Sequence, residues 1–135
     1  MTTAVLFRSL GRCNIPGEQT FKLDLTYGSS AIASAKGRFL AVEDTDAGKM
    51  TITFPTPFRR LSGFRWGWKK HADGAAVFYP VVLTDTLSTD GKLVVVTRTE
   101  AGTATDPTSG DVLGLEFDVT DDILDDEGSI TVTTP

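Results

Sequence analysis

Alternation of apolar and polar residues is the feature of this sequence that most constrains its fold. The apolar side chains of Phe21, Leu23, Leu25 and Tyr27 are separated by Lys22, Asp24 and Thr26. The same period of two recurs at residues 50–54, 64–68 and 113–119. Because successive side chains of a β-strand point to opposite faces of a sheet, this spacing predicts strands that bury one face.

Two other segments are apolar at consecutive positions, and therefore on both faces. They are residues 75–83, which include Pro80, and residues 93–96. An apolar strand without alternation is typical of the middle of a sheet whose two faces are both covered. We therefore expect both segments to form central strands.

Turn-forming residues separate the apolar segments at intervals of roughly 10–20 residues. They are Asn14-Ile15-Pro16-Gly17, Thr45-Asp46-Ala47-Gly48, Asp73-Gly74, Asp90-Gly91, Asp106-Pro107 with Ser109-Gly110, and Glu127-Gly128. Short strands at this spacing predict an all-β fold, either an antiparallel β-sandwich or a Greek-key or jelly-roll-like barrel. At most one or two short helical turns are expected, at residues 29–36 before Gly37 and at residues 121–126.

A single domain covering residues 1–135 is expected, because domains most often contain roughly 100–150 residues. Residues 1–12 and 130–135 are strand-forming ends, which we expect to be extended arms. Within the domain, Pro55 and Pro57 cannot donate a backbone hydrogen bond to a sheet. The segment around them is expected to cross between the sheets, with Phe54 and Phe58 buried at the corner.

Few residues of this sequence suit catalysis or metal binding. His71 is the only histidine and Cys13 the only cysteine, whereas transition-metal sites usually need several such residues together. His71 lies in a basic segment before a turn and is expected to be solvated. No Gly-x-Ser-x-Gly motif marks a nucleophile. We predict a non-catalytic protein with no catalytic, cofactor-binding or metal-binding residues.

Acidic residues are concentrated near the end of the chain. They are Asp118, Asp121, Asp122, Asp125, Asp126 and Glu127. Their spacing is not that of an EF-hand, so we expect an acidic rim that faces solvent or a basic partner, with a bound cation as the alternative. Neither a secretory signal nor a run of about 18 apolar residues is found, so no membrane partner is expected.

The most distinctive segment combines basic and aromatic residues. Its candidates for a binding interface are Arg59, Arg60, Arg65, Trp66, Trp68, Lys69 and Lys70. The simplest interpretation buries Phe64, Trp66 and Trp68 in the core and leaves Arg65 and Lys69 in solvent. A protein interface is the alternative, since Trp and Arg are enriched among residues that dominate binding energy. Stacking on a sugar or on single-stranded nucleic acid is a third reading. The net charge of −5 argues against nucleic acid as the main partner.

Three segments carry a resemblance to a known class of proteins. They are Gly48-Lys49-Met50-Thr51-Ile52-Thr53-Phe54, Gly91-Lys92-Leu93-Val94-Val95-Val96-Thr97 and Ala104-Thr105-Asp106-Pro107-Thr108-Ser109-Gly110-Asp111-Val112-Leu113-Gly114-Leu115. Two Gly-led strands followed by an Asp-Pro turn into an apolar strand resemble the small β-rich virion proteins of tailed bacteriophages. The likeness covers about residues 48–119 and is a pattern of strands and turns.

The resemblance implies a decoration or cement protein of the capsid shell, often a homotrimer bound to the major capsid protein at local symmetry axes. It implies assembly in the bacterial cytoplasm and a final location in the virion, and it assigns no catalytic residue. The alternatives are a tail or fibre component and, among these, a carbohydrate-binding module that uses Trp66, Trp68 or Tyr79. From the strand-forming ends, we also expect one arm to pair with a sheet edge of a neighbouring chain.

Overall fold

The computed structural model describes residues 18–29, 31–121 and 133. Within them lie eight strands and one short helix. In chain order these are β1 (Glu18–Tyr27), β2 (Ile32–Gly37), β3 (Ala41–Asp46), β4 (Lys49–Thr53), β5 (Arg60–Lys69), β6 (Tyr79–Thr86), α1 (Leu87–Asp90), β7 (Lys92–Arg98) and β8 (Val112–Thr120). The predicted all-β class is confirmed. The expected arm at 1–12, Cys13, the acidic residues from Asp122 to Glu127, and the expected arm at 130–135 apart from Thr133 lie outside the described residues.

The strands form two antiparallel four-stranded sheets. The first has the order β2-β1-β8-β5 and the second the order β3-β4-β7-β6. One hydrophobic cluster draws on the strands of both sheets, so they form a β-sandwich, and neither sheet closes into a barrel. The predicted sandwich is thus observed and the barrel alternative is not.

The core follows directly from the alternation in β1 and β8. Phe21 of β1 lies opposite Phe117 of β8, and Leu23 lies opposite Leu115, so apolar residues of both strands share one face. Phe54 joins the sheets, because its ring contacts Phe21 edge-on with centroids 5.3 Å apart and Phe117 with centroids 5.6 Å apart. Burying each such side chain contributes roughly 1.5–3 kcal/mol.

The proline-containing segment behaves as predicted. It connects β4 of the second sheet to β5 of the first, and therefore crosses between the sheets. Phe54 and Phe58 are both 4% exposed, and their ring centroids lie 6.2 Å apart. The two exposed prolines thus leave the sheet while the flanking aromatic rings remain in the core.

The helical turn expected at residues 29–36 is wrong, because this segment contains strand β2. Residues of β2 pair with β1 from Tyr27 opposite Ile32 to Leu23 opposite Gly37. Pairing with an existing strand supplies hydrogen bonds at once, whereas a helix of one or two turns is unstable without tertiary support. The observed helix, α1, lies instead at Leu87–Asp90 and ends at Gly91, which has a φ of 72°. Asp121 is not in a helix, and the rest of the second candidate, residues 122–126, lies outside the described residues.

The central strand expected at residues 75–83 is also wrong, whereas the one at residues 93–96 is confirmed in β7. Residues 75–78 belong to a connection, and β6 is the edge strand of its sheet. Val77 is 54% exposed and Leu83 is 47% exposed. The β6 register shifts between Val82 and Thr84, which places Leu83 in an irregularity of the edge.

Among the described residues the one helix has four residues, far fewer than the roughly 20 needed to cross a membrane.

Candidate interaction surface

One side of the sandwich carries most of the exposed large hydrophobic side chains. We call it the β5 surface and define it as strand β5, the connection 70–78 and strand β6. Of the four exposed large hydrophobic residues described, Trp66, Val77 and Leu83 lie here, whereas Phe39 lies between β2 and β3. Exposed apolar residues gathered on one side are typical of a surface that contacts a partner.

The β5 surface also contains two open sheet edges. Strand β5 pairs only with β8, and β6 pairs only with β7, among the strands that the structure describes. The two edges are joined at one side of the molecule, because the Trp68 Nε1 donates a hydrogen bond of 2.8 Å to the carbonyl of Phe78. The Phe58 amide, just before β5, also donates to the carbonyl of Leu87 in α1, which follows β6. Open strands of this kind are templates for another strand.

The three aromatic residues of β5 occupy different environments. Phe64 is half-buried and stacks on Phe117 with ring centroids 5.3 Å apart, and Trp68 is half-buried near Tyr27 and Phe78. The prediction that all three rings lie in the core is wrong for Trp66, which is 45% exposed. Trp66 pairs with Leu115 of β8, but an edge strand has a neighbour on one side only.

Arg65 is held on the outer face of the first sheet by two carboxylates. Its Nε donates to Glu116 Oε2 at 2.9 Å, and its two terminal nitrogens donate to Asp118 at 2.5 and 3.0 Å. Lys22 reaches Glu116 at 3.3 Å, and the Thr20 hydroxyl donates to Asp118 at 2.6 Å. These side chains form a ladder across three adjacent strands.

The ladder changes the acidity of both carboxyl groups. Hydrogen bonds from Arg65 lower the pKa of Asp118, with partial burial opposing them. Hydrogen bonds from Arg65 and then Lys22 lower the pKa of Glu116. Gly63 makes this geometry possible, since a Cβ at that position would lie 2.7 Å from Asp118 Oδ2. Arg65 is on the solvent side, as predicted, but its charge is already neutralised.

Lys70 and His71 converge on a second carboxylate. Asp111 is fully buried, and it accepts hydrogen bonds from the Lys70 ammonium, from the His71 backbone amide at 3.0 Å and at Oδ1 from the His71 ring, 2.8 Å from Nδ1. Burial tends to raise the pKa of Asp111, but the hydrogen bonds from Lys70 and His71 outweigh it and the pKa is lowered. His71 is exposed in a loop, as expected. Its ring is also held by a buried acid, which was not predicted, because the loop before β8 passes beside the connection 70–78.

A histidine oriented by an aspartate is one part of a nucleophilic triad, so its surroundings matter. Within residues 18–29 and 31–121, no serine, threonine or cysteine side chain hydrogen-bonds to the His71 ring. The same Asp111 carboxylate also receives Lys70, whose ammonium lies 4.7 Å from the Trp68 ring centroid. The arrangement therefore ties the connection 70–78 to the loop before β8.

The remaining interface candidates flank these clusters. The Arg59 amide donates to Asp121 Oδ1 at 2.9 Å, and Arg60 lies opposite Thr120 in the sheet. Lys69 is exposed at the end of β5. Metal ligands are not grouped here: in the part of the chain that the structure describes, no three His, Cys, Asp or Glu side chains converge as a metal site requires.

The sequence identified the β5 segment but not its neutralising partners. Glu116 and Asp118 lie 51 and 53 residues from Arg65, and Asp111 lies 41 residues from Lys70. The only available signal was that β8 alternates acidic residues with apolar ones, which predicts acids on an outer face without naming their partners.

Comparison of the chain with protein-family models, with curated protein sequences and with solved structures found no match.

Proposed function

We propose that this chain is a non-catalytic virion protein that decorates or cements a bacteriophage capsid shell through oligomeric β-sandwich contacts, most simply as a homotrimer. The observation that carries the proposal is the composition of the β5 surface. It combines the exposed Trp66, Val77 and Leu83 with two strand edges that no described strand covers. A protein partner contacts such a surface by adding a strand and covering the apolar side chains.

Internal neutralisation of charge makes the β5 surface suitable for burial. Arg65 is paired with Glu116 and Asp118, and Lys70 is paired with Asp111. Covering an unpaired cation carries a large desolvation penalty, whereas a cation with its carboxylates already in place loses less on contact. Trp66 is then the natural anchor, since tryptophan is enriched among residues that dominate binding energy.

Repetition supports a shell as the partner. A capsid offers many copies of one binding site on its major capsid protein, so modest affinity per subunit is multiplied when the decorating protein is itself an oligomer. The resemblance of residues 48–119 to tailed-phage virion proteins points to the same setting. Neither argument requires catalysis or a cofactor.

The full-length chain and two variants test this proposal. The first variant, Trp66→Ser with Leu83→Ser, removes the exposed apolar groups of the β5 surface. The second, Phe39→Ser, is the matched control, because Phe39 is 74% exposed on the opposite side. Sedimentation velocity measures self-association, and co-sedimentation with empty heads of the source phage that lack this protein measures shell binding.

We expect the unaltered chain and Phe39→Ser to form the same oligomer and to bind the heads. We expect the β5 variant to lose at least tenfold in affinity, because removing one anchor residue typically costs 2 kcal/mol or more. A monomeric chain that does not bind the heads would contradict the proposal. Equal loss in both variants would contradict the assignment to the β5 surface.

A carbohydrate-binding module of a phage tail or fibre is the second candidate, favoured by the exposure of one ring. Trp66 is 45% exposed, whereas Trp68 is half-buried with its Nε1 already bonded, and Tyr79 is half-buried. Replacing Trp68 with Phe leaves Trp66 as the only tryptophan and thus a specific fluorescence reporter. A shift of its emission on adding host cell-wall glycans, with no response to heads, would favour this candidate.

A further inference from the structure

Two glycines lie side by side on the outer face of the first sheet. Gly67 of β5 is paired with Gly114 of β8, and Gly114 is paired in turn with Asp24 of β1. In each strand the glycine alternates with residues of the apolar face, so it belongs to the face that is turned to solvent. Because two adjacent positions carry no side chain, a patch of backbone is left bare on this face.

The fold does not require a glycine at position 67. Gly67 is exposed, its φ lies outside the left-handed region, and a Cβ built on it would meet no atom within 4 Å. At Gly63, by contrast, a Cβ would lie 2.7 Å from Asp118 Oδ2. Glycine inside a strand weakens the strand, and it often marks a place where a ligand or another backbone approaches closely. The bare patch therefore suits a close contact.

A depression of about 380 Å³ lies over the two glycines. Asp24 stands at the end of the glycine row, and its Oδ1 lies 3.3 Å from the place that a Cβ on Gly114 would occupy, so the carboxylate leans over the floor. The adjacent row of the sheet supplies the other charged walls, which are Lys22, Glu116 and Arg65. The volume is within the range of roughly 300–1,000 Å³ that is typical of small-molecule sites.

Hydrogen-bonding capacity remains on these walls. Within residues 18–29 and 31–121, no donor hydrogen-bonds to the Asp24 carboxylate. Glu116 accepts one bond on each oxygen, from Arg65 and from Lys22, whereas a carboxylate can accept about four. Arg65 donates through three of its roughly five N–H groups. A ligand in the depression therefore meets both acceptors and donors.

The charges on the walls cancel. Lys22 and Arg65 are balanced by Asp24 and Glu116, so an ion of either sign would meet a like charge at close range. The walls therefore favour an uncharged ligand with groups that both donate and accept, which is the chemistry of hydroxyl groups. A floor without side chains favours a ring that can lie flat on it.

We propose that the depression binds a neutral sugar, with its ring on the backbone of Gly67 and Gly114. Hydroxyl groups of the sugar donate to Asp24 and accept from Arg65, which Glu116 already holds in place. The inference goes beyond the proposed function and does not rest on it. It also differs from the second candidate function, in which the ring of Trp66 contacts the sugar.

Filling the depression tests the proposal directly in the full-length chain. Gly67→Thr adds a side chain where a Cβ meets no atom, and threonine favours strands, so the midpoint of urea unfolding should not fall. Ala41→Thr is the matched control, because it introduces the same side chain at an exposed strand position of the other sheet. Asp24→Asn keeps the shape of the wall and removes its charge.

Two-dimensional amide NMR with methyl glucoside, methyl galactoside and N-acetylglucosamine as probes measures binding through the Gly114 signal. We expect at least one of these sugars to shift this signal saturably in the unaltered chain and in Ala41→Thr, but not in Gly67→Thr. In Asp24→Asn the dissociation constant should rise at least about tenfold, because the sugar loses a hydrogen bond to a charged group.

Four results would overturn the proposal. They are an unshifted Gly114 signal with every probe, equal binding by the unaltered chain and Gly67→Thr, an unchanged dissociation constant in Asp24→Asn, and tighter binding of glucuronate or glucosamine than of the neutral sugars. The titration contains no phage heads and measures no self-association. Failure of the sugar site and failure of the proposed shell decoration are therefore distinguishable.

Discussion

The two carboxylate clusters beside β5 perform the same neutralisation in different surroundings. Asp118 and Glu116 hold Arg65 on an outer sheet face, where the Arg65 side chain is 54% exposed. Asp111 holds Lys70 and His71 from within, because the Asp111 side chain is fully buried, that of Lys70 is 18% exposed and that of His71 is 33% exposed. The first cluster joins strands that the sheet already joins, whereas the second fixes a connection. From this difference we predict that burial of the carboxylate, and not the number of ion pairs, decides which cluster stabilises the fold more.

The largest expected effect is that of removing the buried acid. Asp111→Ala leaves Lys70 and the His71 amide without their partner, and breaking a buried pair in this way costs about 3–5 kcal/mol. Urea unfolding followed by circular dichroism measures the free energy of unfolding. Asp73→Ala is the control, because Asp73 is exposed in the same connection, and it should change stability by less than about 0.5 kcal/mol. A loss below about 1 kcal/mol for Asp111→Ala would show that the buried cluster stabilises the fold no more than the cluster around Arg65 does.

A smaller loss is expected at the cluster around Arg65, where Asp118 is 8% exposed but the Arg65 side chain is 54% exposed and reaches solvent. Asp118→Ala should reduce the free energy of unfolding by about 1–2 kcal/mol, because Arg65 keeps Glu116 and its contact with water. The same urea titration measures it, with Glu43→Ala, exposed on β3, as the control. If Asp118→Ala cost as much as Asp111→Ala, burial would not be the deciding factor.

Acid should remove the stability that both carboxylate clusters add, whereas changes of pH near neutrality should have almost no effect on it. The pKa values of Asp111, Asp118 and Glu116 are all lowered on folding, so these groups add stability above their unfolded pKa values, near 4. That stability is lost as pH falls through the lower, folded-state values. We expect the difference in unfolding free energy between the unaltered chain and Asp118→Asn to be constant from pH 6 to 8 and to shrink below about pH 4. A difference that is independent of pH down to pH 2 would show that the ion pair with Arg65 contributes nothing.

Much of the fold was predictable because it depends on local patterns. Alternation located β1, β4, β5 and β8, and Pro55 with Pro57 located the crossing between sheets. The errors share one cause. Residues 29–36 have no strong local preference, and the strand at Ile32–Gly37 forms through pairing with β1. Residues 75–83 read as a central strand, but their position at the edge depends on which strands pair.

The candidate surface shows the same division. The sequence indicated that residues 59–70 are unusual, but it placed Trp66 in the core and did not indicate that a buried acid holds the exposed His71. The exposed Trp66 follows from the edge position of β5, and the fixed His71 follows from the approach of Asp111, 40 residues away. No local sequence pattern indicates either the exposure of Trp66 or the contact between His71 and Asp111.

The sequence by itself determined that this chain forms strands, which face of most strands is apolar, and where the chain leaves one sheet for the other. These properties depend on side-chain period and on backbone chemistry, which act over a few residues. Only the tertiary structure decided the order of the strands, and with it which edges stay open and which carboxylates neutralise Arg65 and Lys70. Those choices depend on contacts between residues 40 or more positions apart, and the free energy of such contacts appears only when the sheets pack together.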